Sequence, residues 1–201
     1  KKAGNGDKGP NTGGMGSVAP SPEFTTAHYN DFEENILAPT LAGLERAGIH
    51  FKGFIFFGLM VTNDGTYLLE YNMRLGDPET QVILPLMENN LLDVILDCLE
   101  GKEIDLKFKD EKAVCLVMCS GGYPRQIETG FEIRNLDKVK DSQILFAGAS
   151  NSGDAIVTSG GRVLSIVATG DTFENARKKV YDDALKIQFD YAFYREDIGK
   201  F

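Results

Sequence analysis

Near the middle of the chain, a carboxylate, an amide and a guanidinium stand at alternate positions. Glu70, Asn72 and Arg74 close an otherwise apolar run. Side chains alternate between the two faces of a strand, so these three project from one face and the intervening Leu69, Tyr71 and Met73 from the other. Mg²⁺ prefers hard oxygen ligands and takes one or two of them from protein. The spacing indicates a divalent-metal site at Glu70 and Asn72, with Arg74 placed to bind a carboxylate or phosphate.

The alternative interpretation of this strand end is a polar surface. Glu70 and Arg74 would then form a loose, solvent-exposed pair. A hydrophobic hairpin partner for the strand favours a face that lines a cleft.

A second group of candidate residues lies in a Gly-rich segment, DKGPNTGGMG at 7–16. Glycines let the backbone approach a ligand and turn its N–H groups toward an anion, as Gly13 and Gly14 could do here. Lys8, Asn11 and Thr12 add side-chain donors. The segment is neither a Walker A loop nor a dinucleotide fingerprint. The alternative is a mobile linker.

A third group is Asp77-Pro78-Glu79, which has the pattern of a helix start. Asp77 is expected as the N-cap and Pro78 as the first helical residue. A helix N-terminus also attracts anions. Asp77 and Glu79 are therefore candidates for both capping and ligand binding.

Composition excludes several classes of function. The chain has 201 residues, 42% of them hydrophobic, and a formal net charge of −9. Such an acidic surface disfavours nucleic-acid binding, and no apolar run approaches the ~20 residues of a membrane span. Three cysteines fit a reducing, cytoplasmic compartment. Cys115 and Cys119 share one face of a predicted strand, but no His lies beside them to complete a metal site.

The positioning elements follow from periodicity and turn signals. A helix is expected over 25–47, a hairpin of strands 54–62 and 66–72 around Asn63-Asp64-Gly65, and a helix over 90–100. Short strands are expected at 113–120, 128–133, 144–148, 154–159 and 162–169, then a helix begun by an Asp171–Glu174 capping box, then an extended piece at 191–194. The pattern predicts an α+β protein with two domains, 1–100 and a small β-rich 101–201.

These motifs, in this order, resemble the phosphoribosylamine–glycine ligase family of the ATP-grasp superfamily. The resemblance rests on DKGPNTGGMG at 7–16, GLM at 58–60, LEYNMR at 69–74, GDPETQ at 76–81, GYP at 122–124, FAG at 146–148, TSGGRVL at 158–164 and YREDIG at 194–199. It covers essentially the whole chain.

The resemblance implies the C-terminal part of an ATP-grasp domain, followed by a barrel-sandwich-hybrid-like domain. It implies ATP-dependent joining of glycine to 5-phosphoribosylamine through a glycyl phosphate, in purine biosynthesis. Glu70 and Asn72 would hold Mg²⁺ or Mn²⁺, and Arg74 would stabilise the acyl phosphate. Asp7, Lys8, Asn11, Thr12, Gly13, Gly14, Asp77 and Glu79 would line the substrate pockets.

The resemblance also implies that an N-terminal half with an ATP-covering lid belongs to the same enzyme. The chain alone is then expected to be inactive. Two alternatives stay open: another ATP-grasp carboxylate–amine ligase, and a non-catalytic binding module. A biotinyl or lipoyl carrier is disfavoured, because no Met-Lys dipeptide occurs.

Overall fold

The computed structural model describes residues 1–201, which fall into two compact units. The sheet unit comprises Lys1–Pro20, Asp77–Met87 and Phe108–Phe201, and the hairpin unit comprises Ser21–Gly76 and Glu88–Lys107. Packing defines these units. The predicted domain boundary between residues 100 and 101 stays a prediction.

The sheet unit is built on antiparallel strands. Its strands are β1 Lys2–Gly4, β2 Lys8–Asn11, β3 Gly16–Ala19, β6 Lys112–Cys119, β7 Gln143–Phe146, β8 Ala149–Ser152, β9 Ala155–Thr158 and β10 Arg162–Gly170. Four of them form a sheet in the order β3-β6-β10-β7, while β1-β2 and β8-β9 are separate two-stranded sheets. Helix α3, Thr80–Leu86, and helix α5, Phe173–Ala184, also belong to this unit.

Strand β6 is buried on both faces, and its alternating side chains contribute to two different cores. One face contributes Val114, Leu116 and Met118 to a core that includes Val180 of α5. The other face contributes Ala113, Cys115, Val117 and Cys119 to a core that includes Val82 and Leu86 of α3. Strand β10 pairs with β6 over its length and is equally inaccessible from Val163 to Val167. This continuous apolar run is the pattern expected of a strand covered on both sides.

The hairpin unit contains the predicted first helix in three segments. These are α1 Thr26–Phe32, a π-helical turn Glu33–Leu37, and α2 Ala38–Arg46. Pro39, in the first turn of α2, lacks the N–H that a regular α-helix needs at that point, which places the change of helical pitch just before it. Gly48 follows the helix at φ 67°, as expected of a C-terminal glycine.

The hairpin itself is confirmed as β4 Phe56–Thr62 and β5 Gly65–Asn72. Its register pairs Gly58 with Glu70 and Leu59 with Leu68, so Leu69 is a bulge residue with no partner opposite. The predicted alternation therefore holds from Glu70 to Asn72 and is interrupted at Leu69. The second predicted helix of this unit is confirmed as α4, Leu91–Glu100, which Asn90 caps and Gly101 ends at φ 74°.

The extended piece expected at 191–194 contains one isolated bridge, from Phe193 to Cys119. Three expectations about local structure are wrong. Residues 128–133 form an isolated bridge at Glu132 rather than a strand. Helix α5 begins after Thr172, whose hydroxyl accepts from the Asn175 N–H, and not after an Asp171–Glu174 box. Helix α3 begins at Thr80, so Asp77 is not its N-cap and Pro78 is not its first residue. The carboxylate of Asp77 is taken by a partner distant in sequence, Arg162, whereas the α5 cap is decided locally between the neighbours Asp171 and Thr172. No helix has the length and apolarity needed to cross a bilayer.

An ion-pair cluster ties the first residues of the sheet unit to its last. The Arg195 guanidinium donates to both carboxylate oxygens of Asp197 at 2.7 Å and to Asp7 Oδ1 at 2.7 Å. The Gly6 N–H donates to Asp197 Oδ2 at 2.7 Å. Only 11% of the Arg195 side chain is exposed. The arginine hydrogen bond, assisted by the Gly6 N–H, lowers the pKa of Asp197 from 3.8 to about 2.

We expect this cluster to give an acid-sensitive contribution to stability. A depressed carboxyl pKa stabilises the fold above the unfolded value near 3.8 and loses that contribution as pH falls toward 2. Asp197→Asn should lower the free energy of unfolding by on the order of 2 kcal/mol at pH 6, and the deficit should shrink between pH 4 and pH 2. Urea denaturation at a series of pH values measures both quantities.

Asp190→Asn is the matched control, because Asp190 meets Arg134 through one 3.4 Å contact at an exposed position. Its deficit should be below about 0.5 kcal/mol at every pH. A deficit for Asp197→Asn that stays constant from pH 6 to pH 2 would contradict the assignment.

The buried thiols should be chemically inert. Burial raises the pKa of Cys115 and of Cys119 to about 12, so at pH 8 only about one thiol in ten thousand is ionised. Ellman's reagent should therefore label one thiol quickly, the partly exposed Cys98, and the other two only after denaturation. Cys98→Ser should abolish the fast phase. Two or more fast thiols in the native protein would show that β6 is not packed as described.

Candidate functional site

The metal-site candidate Glu70 lies on β5 opposite a glycine of β4. An added Cβ at Gly58 would stand 2.8 Å from Glu70 Cγ and 3.5 Å from Glu70 Oε1. The Glu70 side chain therefore occupies the space above Gly58. A larger residue at 58 would displace the carboxylate, so the glycine fixes where the carboxylate can lie.

Asn72 and Arg74 come together at the end of the same strand. Arg74 Nη2 donates to Asn72 Oδ1 at 3.5 Å, and Arg74 Nη1 donates to the Leu75 carbonyl at 2.9 Å. Asn72 is half-buried and Arg74 is exposed. The predicted common face of these two residues is thus observed, although Arg74 lies just beyond the last residue of β5.

The opposite side of the hairpin is held by aromatic contacts within the same unit. Tyr71 packs edge-on against Phe57, which in turn packs edge-on against Phe32 of α1. The Tyr71 hydroxyl lies 2.7 Å from Thr40 Oγ1 of α2. These contacts fix the strand's rotation, and so they determine the side to which Glu70 and Asn72 point.

The chemistry of these two side chains suits a hard divalent cation. A carboxylate oxygen and an amide oxygen are ligands of the type that Mg²⁺ uses, and the remaining positions fall to waters and phosphate oxygens. The chain contains no group of three or more His, Cys, Asp or Glu residues able to hold a metal.

The Gly-rich segment forms an ordered loop in the sheet unit. Thr12 donates from its backbone N–H and its hydroxyl to the Lys1 carbonyl, both at 2.8 Å, and its Oγ1 accepts from the Gly14 N–H at 3.1 Å. Gly14 has φ 125°, and a Cβ there would stand 2.5 Å from Pro78 Cδ. The loop is therefore in direct contact with the 77–79 turn, and the mobile-linker alternative does not describe it.

One arginine joins that loop to the turn. Arg162, the first residue of β10, donates from Nη1 to the Gly13 carbonyl at 3.3 Å. The same guanidinium binds Asp77 through both carboxylate oxygens, at 3.2 and 2.9 Å, and through the Asp77 carbonyl at 3.2 Å. The Gly13 N–H donates to the Tyr123 hydroxyl at 2.9 Å. Asp77 thus accepts an arginine instead of capping α3.

Glu79 and Gln81 flank this turn at the start of α3. The Glu79 carbonyl accepts from the Val82 and Ile83 N–H groups at 3.1 Å, so its backbone opens the helix. Gln81 Nε2 donates to Asp77 Oδ1 at 2.9 Å, while Gln81 Oε1 is buried and has no hydrogen-bond partner. The half-buried Glu79 carboxylate lies two positions from Asp77 in sequence.

The remaining loop candidates lie on or beside the β1–β2 hairpin. Lys8 and Asn11 are exposed on β2. Asp7, at φ 54°, binds Arg195 with its carboxylate. The structure thus brings Gly13, Gly14 and Asp77 together, and it places Asp7 in the ion-pair cluster of the C-terminal segment.

Motif reasoning missed the residues that hold this arrangement. Arg162, Tyr123 and Gly58 each lie within one of the family-like motifs, but the motifs give them no role. A signal existed for Arg162: it is a single basic residue between two glycines and a continuous apolar strand. Its acceptors, 85 and 149 positions away along the chain, could not be read from the sequence.

Comparison with known proteins agrees with these observations. The chain is 48% identical over 195 residues to the phosphoribosylamine–glycine ligase of Caldanaerobacter subterraneus subsp. tengcongensis, covering 96% of the chain and 47% of that protein. The crystal structure of a ligase of the same name from Thermotoga maritima superposes with a TM-score of 0.88 at 39% identity, over 98% of the chain and 49% of that structure. The chain spans about half the length of these relatives.

A more distant match extends the fold relationship. The biotin carboxylase domain of a thermophilic 2-oxoglutarate carboxylase superposes with a TM-score of 0.61 at 14% identity, over 89% of the chain and 41% of that structure. At this identity the match concerns the fold alone, which is mixed α/β with ATP-grasp-like neighbours.

Family models account for most of the sequence, including every candidate site residue. The ATP-grasp (A) domain model of phosphoribosylglycinamide synthetase matches residues 1–80, and the C domain model of the same enzyme matches residues 113–201. The chain therefore belongs to the phosphoribosylglycinamide synthetase family, and it contains segments that match the ATP-grasp and C domains of that family.

Proposed function

We propose that this chain is part of a ligase that joins glycine to 5-phosphoribosylamine at the expense of ATP. It contributes the metal-binding strand, which is β5, and the substrate loop, which is the Gly-rich segment 7–16. The observation that carries the proposal is the Glu70–Asn72–Arg74 strand end, which lies within the segment that matches the family's ATP-grasp model. The products are glycinamide ribonucleotide, ADP and phosphate, and the reaction belongs to purine biosynthesis.

The chemistry proceeds in two displacements. A glycine carboxylate oxygen attacks the γ-phosphorus of ATP, and ADP leaves. The amine of phosphoribosylamine then attacks the acyl carbon of the glycyl phosphate, loses a proton, and phosphate leaves. Both displacements involve anionic oxygens, so the chain's task is to hold anions in line and to neutralise developing charge.

Glu70 and Asn72 would hold Mg²⁺ or Mn²⁺ through one carboxylate and one amide oxygen. When bound, the ion supplies neutralisation of the charge that develops on the ATP phosphates. Arg74 lies beside Asn72 with a planar guanidinium that can bind two oxygens of one anion. We assign it to the acyl phosphate.

The loop and turn of the sheet unit would line the pockets for glycine and phosphoribosylamine. The residues assigned to these pockets are Asp7, Lys8, Asn11, Thr12, Gly13, Gly14, Asp77 and Glu79. Their support is the contact between Gly14 and Pro78 and the shared arginine between Gly13 and Asp77. The Asp7 carboxylate also binds Arg195.

The second half would be a small domain of the barrel-sandwich-hybrid type. Its support is the antiparallel β6, β7 and β10 sheet with the separate β8-β9 hairpin. We place the enzyme in the cytoplasm, since its three cysteines are free thiols. The rest of the nucleotide site would come from the part of the relatives that this chain does not span.

In the complete enzyme, Glu70→Gln should abolish ligation while the protein stays folded. The substitution keeps the size of the side chain but removes the charge and one of the two acceptor oxygens on which metal affinity depends, so kcat/KM should fall by on the order of 10³-fold or more. Coupled measurement of ADP release at saturating Mg²⁺ gives the rate, and circular dichroism gives the fold.

Glu45→Gln is the matched control, on the exposed face of α2 in the same unit. It should retain wild-type turnover. Near-normal turnover of Glu70→Gln at saturating Mg²⁺ would refute the metal assignment.

The 201-residue chain by itself should not synthesise glycinamide ribonucleotide. It spans 47% of its ligase relatives, and the lid that covers ATP is expected in the remainder. Mass spectrometry of reaction mixtures with glycine, phosphoribosylamine and Mg-ATP should detect no product, whereas the complete enzyme should form it. Product from the isolated chain would contradict the proposed division of the site.

A further inference from the structure

We infer that Arg162 is a positioning residue that fixes the substrate loop against the Asp77-Pro78 turn, an inference that rests on the proposed ligase function. It acts through Gly13 and Asp77 rather than by touching the reacting atoms.

The first support is the convergence of acceptors on one guanidinium. Arg162 has four contacts between 2.9 and 3.3 Å, one with the Gly13 carbonyl and three with Asp77. Both carboxylate oxygens of Asp77 are engaged, in the fork-to-fork geometry that only arginine can form. The Arg162 side chain is 23% exposed and the Asp77 side chain 50%, so the pair is shielded from solvent mainly on the arginine side.

The second support is the close packing of the loop, the arginine and the turn. A Cβ at Gly13 would lie 3.2 Å from Arg162 Cζ, and a Cβ at Gly14 would lie 2.5 Å from Pro78 Cδ. The loop, the arginine and the turn are therefore in van der Waals contact. Ser17 Oγ adds a hydrogen bond to the Pro78 carbonyl at 2.7 Å.

The third support is the rigidity of the element that carries the arginine. Arg162 is paired with Cys119 at the start of β10, and the next residues, Val163 and Leu164, are completely buried. The Arg162 carbonyl accepts from the Gly148 N–H at 2.8 Å. Because Arg162 is anchored on this sheet, it holds the loop at a fixed place relative to the sheet. A substrate that binds the loop is then held in a fixed position as well.

The ion pair also sets the charge of the turn. With Arg162 bound to both of its oxygens, the Asp77 carboxylate is neutralised by a fixed cation. A loop intended for a phosphorylated sugar and a carboxylate benefits from this, because an unpaired carboxylate would repel both substrates.

Steady-state kinetics of Arg162→Gln in the complete enzyme tests the inference. The KM of glycine or of phosphoribosylamine should rise at least about tenfold, while the KM of ATP should change less than about twofold, because the Arg162 guanidinium contacts the substrate loop and the Asp77-Pro78 turn. Arg162→Lys keeps the charge but not the fork and should recover only part of the loss. Arg134→Gln, which removes another arginine with a single aspartate contact, should leave all three constants unchanged.

A double-variant comparison distinguishes positioning from direct contact. If Arg162 acts through Asp77, then Arg162→Gln combined with Asp77→Asn should be no worse than the more impaired single variant. Multiplicative losses would show that Arg162 contacts a substrate itself, and would overturn the inference.

Hydrogen exchange gives a readout that needs no ligase activity. In the 201-residue chain, Arg162→Gln should speed exchange of the Gly13 and Gly14 amides at least about tenfold, with Arg134→Gln unchanged. Unchanged exchange of these amides would show that Arg162 does not hold the loop, and would overturn the inference. Faster exchange with unchanged KM values would show that Arg162 makes a structural contact only, and would overturn its positioning role. If the complete wild-type enzyme made no glycinamide ribonucleotide, the proposed function would be wrong, and the positioning role would be wrong with it. The exchange measurement would still decide whether Arg162 holds the loop.

Discussion

The antiparallel pairing of β6 with β10 is the constraint on which the sheet unit depends. Eight register pairs join strands that are inaccessible over most of their length, and the two faces of β6 pack into separate cores with α5 and α3. A strand covered on both sides cannot slip by one residue without exchanging its two cores. The ladder therefore fixes the start of β10, where Arg162 stands.

In the sheet unit, the candidate substrate-binding segments are held by polar contacts with a few side chains. Arg162 holds the Gly13 carbonyl and Asp77, the Tyr123 hydroxyl accepts from the Gly13 N–H, and Arg195 holds the β1–β2 hairpin through Asp7. Each of these cations serves acceptors that lie far apart in the sequence. Bidentate arginine contacts suit this role because they fix orientation as well as distance. A side chain at 14 would enter the space that Pro78 occupies, and a side chain at 13 would press on the Arg162 guanidinium.

In the hairpin unit, the geometry is set by a different kind of contact. The bulge at Leu69 and the edge-on packing of Tyr71 against Phe57 fix the rotation of β5. Gly58 leaves room for the Glu70 side chain, and Asn72 is oriented by Arg74. An apolar face thus holds the strand, and the opposite face carries Glu70 and Asn72. The two units use different means to the same end, which is a short polar segment held on a rigid β framework.

The sequence by itself determined the elements whose signals are local. The hairpin around Asn63-Asp64-Gly65, the helix capped by Asn90 and ended by Gly101, and the alternation that puts Glu70 and Asn72 on one face all follow from residue types and spacing. The ordered motifs were specific enough to identify the family. Only the tertiary structure decided the role of Asp77, which binds Arg162 rather than capping α3, and the pairing of Arg195 with Asp7. The physical reason is that a charged side chain takes the strongest partner within reach, and the folded chain brings within reach partners that lie 85 to 188 positions away in sequence.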